Sequence, residues 1–198
     1  MKPEAKSPVA GWHADHVYFR RLLHLLHKEL DVFHGGERPN YELMLDIITY
    51  LREYTDRFHH PREDAAFAFI VRRFPDMQLV LARLQQEHRV IAHAGDSLRQ
   101  LLGAALDGEM APRSAIEVAA ATYLVYYGNH IAKEEEDVLT RAALHLTPED
   151  WEAVKSAAPA GQDPLFANDA QQRDEFHIGE ILTFQHGAGV DLANMDRL

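Results

Sequence analysis

Apolar residues recur along most of this chain at helical spacing, and no stretch shows the alternation of a half-buried strand. The stripe Trp12, Phe19, Leu23, Leu26 and Leu30 predicts a first helix over residues 12 to 33, closed by Gly35, Gly36 and Pro39. A second helix is expected to start near Asn40, an N-cap, with Tyr41, Met44, Leu45, Ile48 and Thr55 on one face. Pro61 removes one backbone hydrogen bond and disfavours helical geometry at His60. Because Phe67 and Ile70 continue the stripe beyond it, the expectation is a kinked helix reaching about Arg73. After a turn at Phe74 and Pro75, a third helix to about Leu106 carries Met77, Val80, Leu81, Leu84, Ile91, Leu98 and Leu102 on one face. The DGEMAP segment at 107–112 ends it. A fourth helix, from about Arg113 to Leu146, has the stripe Ile116, Ala120, Tyr123, Tyr127, Ile131 and Val138. Four long helices joined by short loops predict an all-α fold, an up-and-down four-helix bundle with additional C-terminal helices.

The bundle is expected to occupy residues 1–146, with residues 147–198 forming a helical extension that packs on it. Thr147, Pro148, Glu149 and Asp150 read as an N-cap, a proline at the first helical position and acids behind it. A last helix is expected from about Asn168 to Gln185, ended by Gly187 and Gly189. With 198 residues, 46% hydrophobic and 26% charged, the chain can bury a real core and resembles no disordered class. The formal net charge of −11 disfavours nucleic acid and anionic membrane as partners. The start, MKPEAKSP, lacks the apolar core of a signal peptide, and no apolar run approaches the ~20 residues of a membrane span. A cytoplasmic protein is therefore expected. Without cysteine, any metal must be held by nitrogen and oxygen.

Polar residues on the stripes are what set this chain apart. At ~100° per residue, His16, His59, His88 and His130 each fall on the buried face of a different long helix. Glu63 and Glu134 follow two of them by four residues, on the same faces. A single histidine on an apolar stripe is ordinarily a hydrogen-bonded core residue. Burying this many titratable groups unpaired would cost several kcal/mol for each ion. Metal coordination satisfies them together, because every imidazole and carboxylate donates to a common centre. Four imidazoles and two carboxylates exceed what one zinc ion takes. Carboxylates entering a bundle from two helices suit a dinuclear site, and nitrogen and oxygen donors suit non-heme iron. Two iron ions are the first choice, with manganese or zinc as alternatives.

The order His16, then His59 with Glu63, then His88, then His130 with Glu134 resembles the hemerythrin-like (HHE cation-binding) family. The strings HHPREDAAF and HIAKEEEDVL are similar to its two HxxxE segments, and ADH at 14–16 and QEH at 86–88 to its single-histidine helices. The similarity covers about residues 12 to 145. It implies a four-helix bundle holding a bridged diiron centre that meets a small ligand: dioxygen, peroxide or nitric oxide. The chain departs from the oxygen-carrying hemerythrins, which have a second histidine four residues after the third-helix one. Here that position is Ala92. They also have an aspartate five residues after the fourth-helix histidine, where Glu135 stands beside the better-aimed Glu134. Two six-coordinate ions take roughly twelve ligand positions; four histidines fill four, two bridging carboxylates four more and a bridging oxygen two, which leaves an open position on each ion. That count favours peroxide breakdown, nitric oxide chemistry or sensing over reversible oxygen carriage.

Tyr123, Tyr126 and Tyr127 lie one or two turns before His130 and either are core packing or supply one hydroxyl that fills the vacant position or donates a hydrogen bond to bound peroxide. His60 either orients the cluster or sits on the helix shoulder. Glu135, Glu136 and Asp137 are expected to form a solvated face near the site mouth, and His13, His24 and His93 to be surface residues. Three readings follow. A diiron enzyme consumes peroxide or nitric oxide; an oxygen- or iron-binding sensor changes shape or partner without turnover; a purely structural bundle binds no metal.

Overall fold

The computed structural model describes residues 8–158 together with Gly161, Asp163 and Ile181. Helix α1 spans Pro8–His34 and ends where Gly36 takes a left-handed conformation (φ +86°), which lets Glu37 N–H reach back to the Val32 carbonyl at 3.3 Å. Helix α2 is continuous through Tyr41–Tyr50, the π-helical Leu51–His59 and His60–Arg73. Asn40 caps its start, the side chain accepting from Leu43 N–H at 2.9 Å, as its position in the sequence predicts. A 3₁₀ turn, Pro75–Met77, leads into α3, Gln78–Leu106. Helix α4 comprises Arg113–Lys133, the π-helical Glu134–Leu139 and Thr140–His145. The short α5, Pro148–Ala157, opens on a reciprocal cap between Thr147 and Asp150.

The disturbance expected at Pro61 takes the form of wide π turns immediately upstream. His60 N–H donates to the Thr55 carbonyl, five residues back, so the chain approaches the proline already out of α register. Side chains take up carbonyls that the irregular backbone releases. Thr55 Oγ1 donates to the Leu51 carbonyl and Arg62 Nε to the Phe58 carbonyl. The second π stretch begins at Glu134 itself. Both irregular stretches therefore abut the two His-x-x-x-Glu segments, a placement that regular helical spacing does not anticipate.

The four long helices form an up-and-down bundle, α1 packing against α2 and α4, and α3 against α2 and α4. Its apolar interior is divided in two. One cluster contains Phe19, Leu22, Leu26, Ile47, Ile91, Tyr127 and Ile131; the other contains Trp12, Phe67, Leu84, Val138 and Ala142. On each long helix the chain passes from one cluster to the other through a buried polar residue: His16, His59 with Glu63, His88, or Glu134. Helix α5 lies against the second half of α2, with Val154 buried in the second cluster and Arg73 paired to Asp150. The helix expected over residues 168–185, with His177 and His186 nearby, lies outside the described residues except for Ile181, which is helical and fully buried against the first cluster. Among the described residues no helix is long and apolar enough to cross a membrane.

Candidate metal centre

The polar layer between the two apolar clusters brings together all six side chains singled out in the sequence. His16, His59, Glu63, His88, His130 and Glu134 are each 7% exposed or less. Nε2 atoms of His59, His16 and His88 lie 2.7, 3.2 and 3.3 Å from Glu63 carboxylate oxygens. Those of His16, His130 and His88 lie 3.3, 3.4 and 3.9 Å from Glu134. His88 and His130 present Nε2 to one another at 3.1 Å. Despite this crowding, Glu63 Oε2, His59 Nε2 and both oxygens of Glu134 make no well-directed hydrogen bond. Other contacts are made: His16 Nε2 receives the Trp12 Nε1–H at 3.0 Å and lies 3.2 Å from Glu63 Oε1, so the layer is only partly satisfied, which a buried polar network ordinarily avoids.

The outward nitrogens follow a second pattern. Asp15 on α1 faces His59 Nδ1 on α2 at 3.0 Å, and Asp64 on α2 faces His88 Nδ1 on α3 at 3.2 Å. Glu87 on α3 faces His130 Nδ1 on α4 at 3.3 Å, and Glu135 on α4 faces His16 Nδ1 on α1 at 3.5 Å. The ring of carboxylates closes around the bundle, each acid serving the histidine of the next helix. Asp15, Glu87 and Glu135 are themselves held by Arg62 (3.1 Å), Arg83 (2.8 Å) and Arg20 (2.5 Å). At His59 and His130 the hydrogen-bonded carboxylate keeps the proton on Nδ1 and turns the Nε2 lone pair inward, as metal-ligating histidines are oriented, whereas Nδ1 of His16 and of His88 lies near its acid without a well-directed hydrogen bond. None of these acids was identified from helical periodicity as an outer partner. A signal does exist, because each is the sequence neighbour of an inner donor: Asp15–His16, Glu63–Asp64, Glu87–His88 and Glu134–Glu135.

Electrostatics of the metal-free layer follow from these distances. Burial alone would raise Glu63, but the positive charge of His59 and the adjacent His16 and His88 pull its pKa well below the carboxylate range. Glu134 shifts the other way, raised by burial and then by the charge on Glu63. Burial also opposes charge on the imidazoles, yet Glu134, Glu135 and Glu63 hold His16 well above its usual value. Against the same burial, Asp64 and Glu63 hold His88 up at about 10. Protons therefore occupy this layer when no cation does, and a cation entering must displace them.

Several neighbours differ from expectation. Glu135 is not part of a solvated face: its side chain is 21% exposed, and the adjacent His16, with Arg20, lowers its pKa to about 2. Glu136, at 75% exposed, is a surface residue as expected. Tyr126 is 44% exposed and has no place in the site, whereas Tyr123 and Tyr127 are fully buried with hydroxyls lacking a hydrogen-bond partner. Tyr127 lies with its ring centroid 6.1 Å from that of His60. His60 is not on a shoulder but buried, stacked on His88 with centroids 4.1 Å apart. Helix α2 is flanked by α1 and by α3, so successive residues face different neighbours, His59 toward α1 and His60 toward α3.

Among the described residues, two groups of side chains have potential ligand atoms within 4.8 Å of one another: His16, His59 and Glu63; and His60, Glu63, His88 and His130. They share Glu63. Glu134 belongs to neither group but approaches both through His16 and His130. The donor set, buried imidazoles and two carboxylates with three unpartnered oxygens, fits metal binding once the resident protons are displaced. Residues 7–142 match the family model described as "Hemerythrin HHE cation binding domain". No curated protein and no solved structure matches the chain.

Proposed function

The chain belongs to the hemerythrin HHE cation-binding family, and from that premise we propose that it is a non-heme diiron protein that reacts with peroxide, nitric oxide or dioxygen. His16, His59, Glu63, His88, His130 and Glu134 would hold the two ions. The observation that carries this reading is a pair of fully buried glutamates, Glu63 with one oxygen and Glu134 with both lacking a hydrogen-bond partner, surrounded by imidazoles from all four long helices. Nitrogen and oxygen donors select iron over softer metals, with manganese or zinc as the alternatives for loading experiments. When bound, the metal pair supplies redox and Lewis-acid chemistry toward a small oxidant or diatomic ligand.

The protein's own share of the work is orientation and exclusion. Asp15, Asp64, Glu87 and Glu135 orient the imidazoles, and the two apolar clusters enclose the polar layer from above and below. Among the described residues beyond the bundle, Pro148–Ala157 packs on it, and a cytoplasmic location is part of the same proposal. The test is anaerobic loading with iron(II), followed by addition of hydrogen peroxide or nitric oxide. Catalytic consumption that disappears in Glu63→Ala and Glu134→Ala supports the enzyme reading. Stoichiometric binding without turnover points instead to a sensor or binding protein. Failure to take up metal contradicts both.

A further inference from the structure

We propose that divalent cations enter and leave the centre through the seam between α2 and α3, landing on Asp64 and passing by way of His60 to His88 and Glu63. This rests on the diiron reading above and adds the route by which ions reach the layer. A hollow in the seam is walled by Asp56, His60 and Asp64 on α2 and by His88, Arg89 and Ala92 on α3. Its floor is the outer wall of the inner cluster. His60 and His88 line the hollow and also belong to the group whose ligand atoms, with those of Glu63 and His130, lie within 4.8 Å of one another.

Two side chains in the hollow have donor capacity that nothing else uses. His60 is 4% exposed, and its Nδ1 pairs with Asp56 at 2.9 Å, which keeps the proton on that nitrogen and leaves the Nε2 lone pair without a partner. Its ring is nearly parallel to that of His88, at 12° with centroids 4.1 Å apart, so the in-plane lone pairs of the two rings do not converge on one ion. His60 is thus a buried nitrogen donor that cannot share an ion with His88, and it serves a cation only in passage. Asp56 is occupied by Arg52 and His60, which leaves Asp64 as the acid of the rim open to solvent. The Asp64 side chain is 42% exposed, yet one of its oxygens is buried 3.2 Å from His88 Nδ1. A carboxylate oxygen at the rim replaces one water of a hydrated cation, and the imidazole nitrogen deeper in replaces another, so the ion is stripped in steps.

Charge and space favour this seam. A second hollow reaches the layer between α1 and α2, beside Trp12, His59 and Glu63, but its rim carries Arg62, held in place by Asp15 and the Phe58 carbonyl. A guanidinium at the mouth repels an incoming cation, whereas a solvent-facing carboxylate attracts it. Arg89, the cation on the α2–α3 rim, is turned back along its own helix to Gln86. Ala92 keeps the hollow open, because a longer side chain at that position would project into it.

The test is stopped-flow mixing of metal-free full-length protein with cobalt(II), followed by the visible absorption of the bound ion. Release is measured with EDTA at concentrations where the rate no longer depends on it. Ala92→Leu narrows the hollow without touching a ligand, and both uptake and release should slow by the same factor of ~10, with equilibrium affinity unchanged. Arg89→Glu, a surface change, should speed uptake several-fold at low salt and lose that gain at high salt. Wild-type rates in Ala92→Leu, or in Arg89→Glu at low salt, overturn the route and leave the diiron reading intact. A change of affinity in Ala92→Leu also overturns it, by assigning Ala92 to the packing of the centre. Should Ala92→Leu not fold, Arg89→Glu decides alone. Wild-type protein that takes up no cobalt removes the diiron reading itself.

Discussion

Replacing Glu63 and Glu134 separately with glutamine removes the same chemical group from the same buried layer, yet the two metal-free variants should shift in opposite directions. Glu63 is ionised and tightly surrounded; its three imidazole approaches at 2.7, 3.2 and 3.3 Å compare with 3.3, 3.4 and 3.9 Å at Glu134. At an effective dielectric of ~20 those differences favour charge on Glu63 by about 2 kcal/mol. A carboxylate whose pKa is depressed on folding stabilises the protein at neutral pH, and Glu63→Gln forfeits that contribution. A carboxylate whose pKa is raised opposes folding once it ionises, and Glu134→Gln relieves that cost. For a chain of this size each kcal/mol moves Tm by roughly 2–4 °C, so the melting temperatures of the two variants should differ by ~4–8 °C, with Glu134→Gln the higher. Thermal melting of chelator-treated protein by circular dichroism at pH 7 measures this. Equal shifts of the same sign would show that the inner layer is not polarised between its two carboxylates as described. Loaded with iron, both variants should lose metal alike.

Further outcomes follow from the same geometry. Asp15→Asn leaves the fold intact but weakens the hold on His59 Nδ1, so metal affinity should fall ~10–100-fold in a competition titration; unchanged affinity would remove Asp15 from the support of the site. The stability of metal-free protein should decline as pH rises, because protonated His88 contributes stability below 6.5 that is lost as pH climbs toward its folded value of about 10. Loaded protein already holds that ring neutral, so the Tm gap between loaded and metal-free forms should widen over this range; a constant gap counts against the assignment. On the acid side, Glu135 stabilises the metal-free protein above its usual value of 4.5, and that contribution should fade as pH drops toward about 2. Glu135→Gln should remove this acid-limb loss from the melting profile.

Much of the centre was legible because α-helical periodicity places His16, His59, His88 and His130 on the faces that also carry Phe19, Thr55, Ile91 and Tyr127. Single-helix projection cannot see across seams. Asp15, Asp64, Glu87 and Glu135 lie beside the buried stripe of their own helix and act on the histidine of the next. Their importance emerges only when four helices close into a ring. Projection at a fixed angle also treated His60 as ambiguous, since it stands one residue off the stripe that His59 defines. Flanking of α2 by both α1 and α3 makes both positions interior. The π turns at Leu51–His59 and Glu134–Leu139 have no clear period in the sequence, although Pro61 marks where regular hydrogen bonding must fail.

The most direct measurement is elemental analysis of purified protein after loading with iron(II) and gel filtration in the presence of a mild chelator. Two iron ions retained per chain, falling to none or to weakly held metal in Glu63→Ala, is the predicted result. A chain that emerges metal-free, with unchanged melting temperature and its buried histidines and glutamates hydrogen-bonded to ordered water, would contradict it.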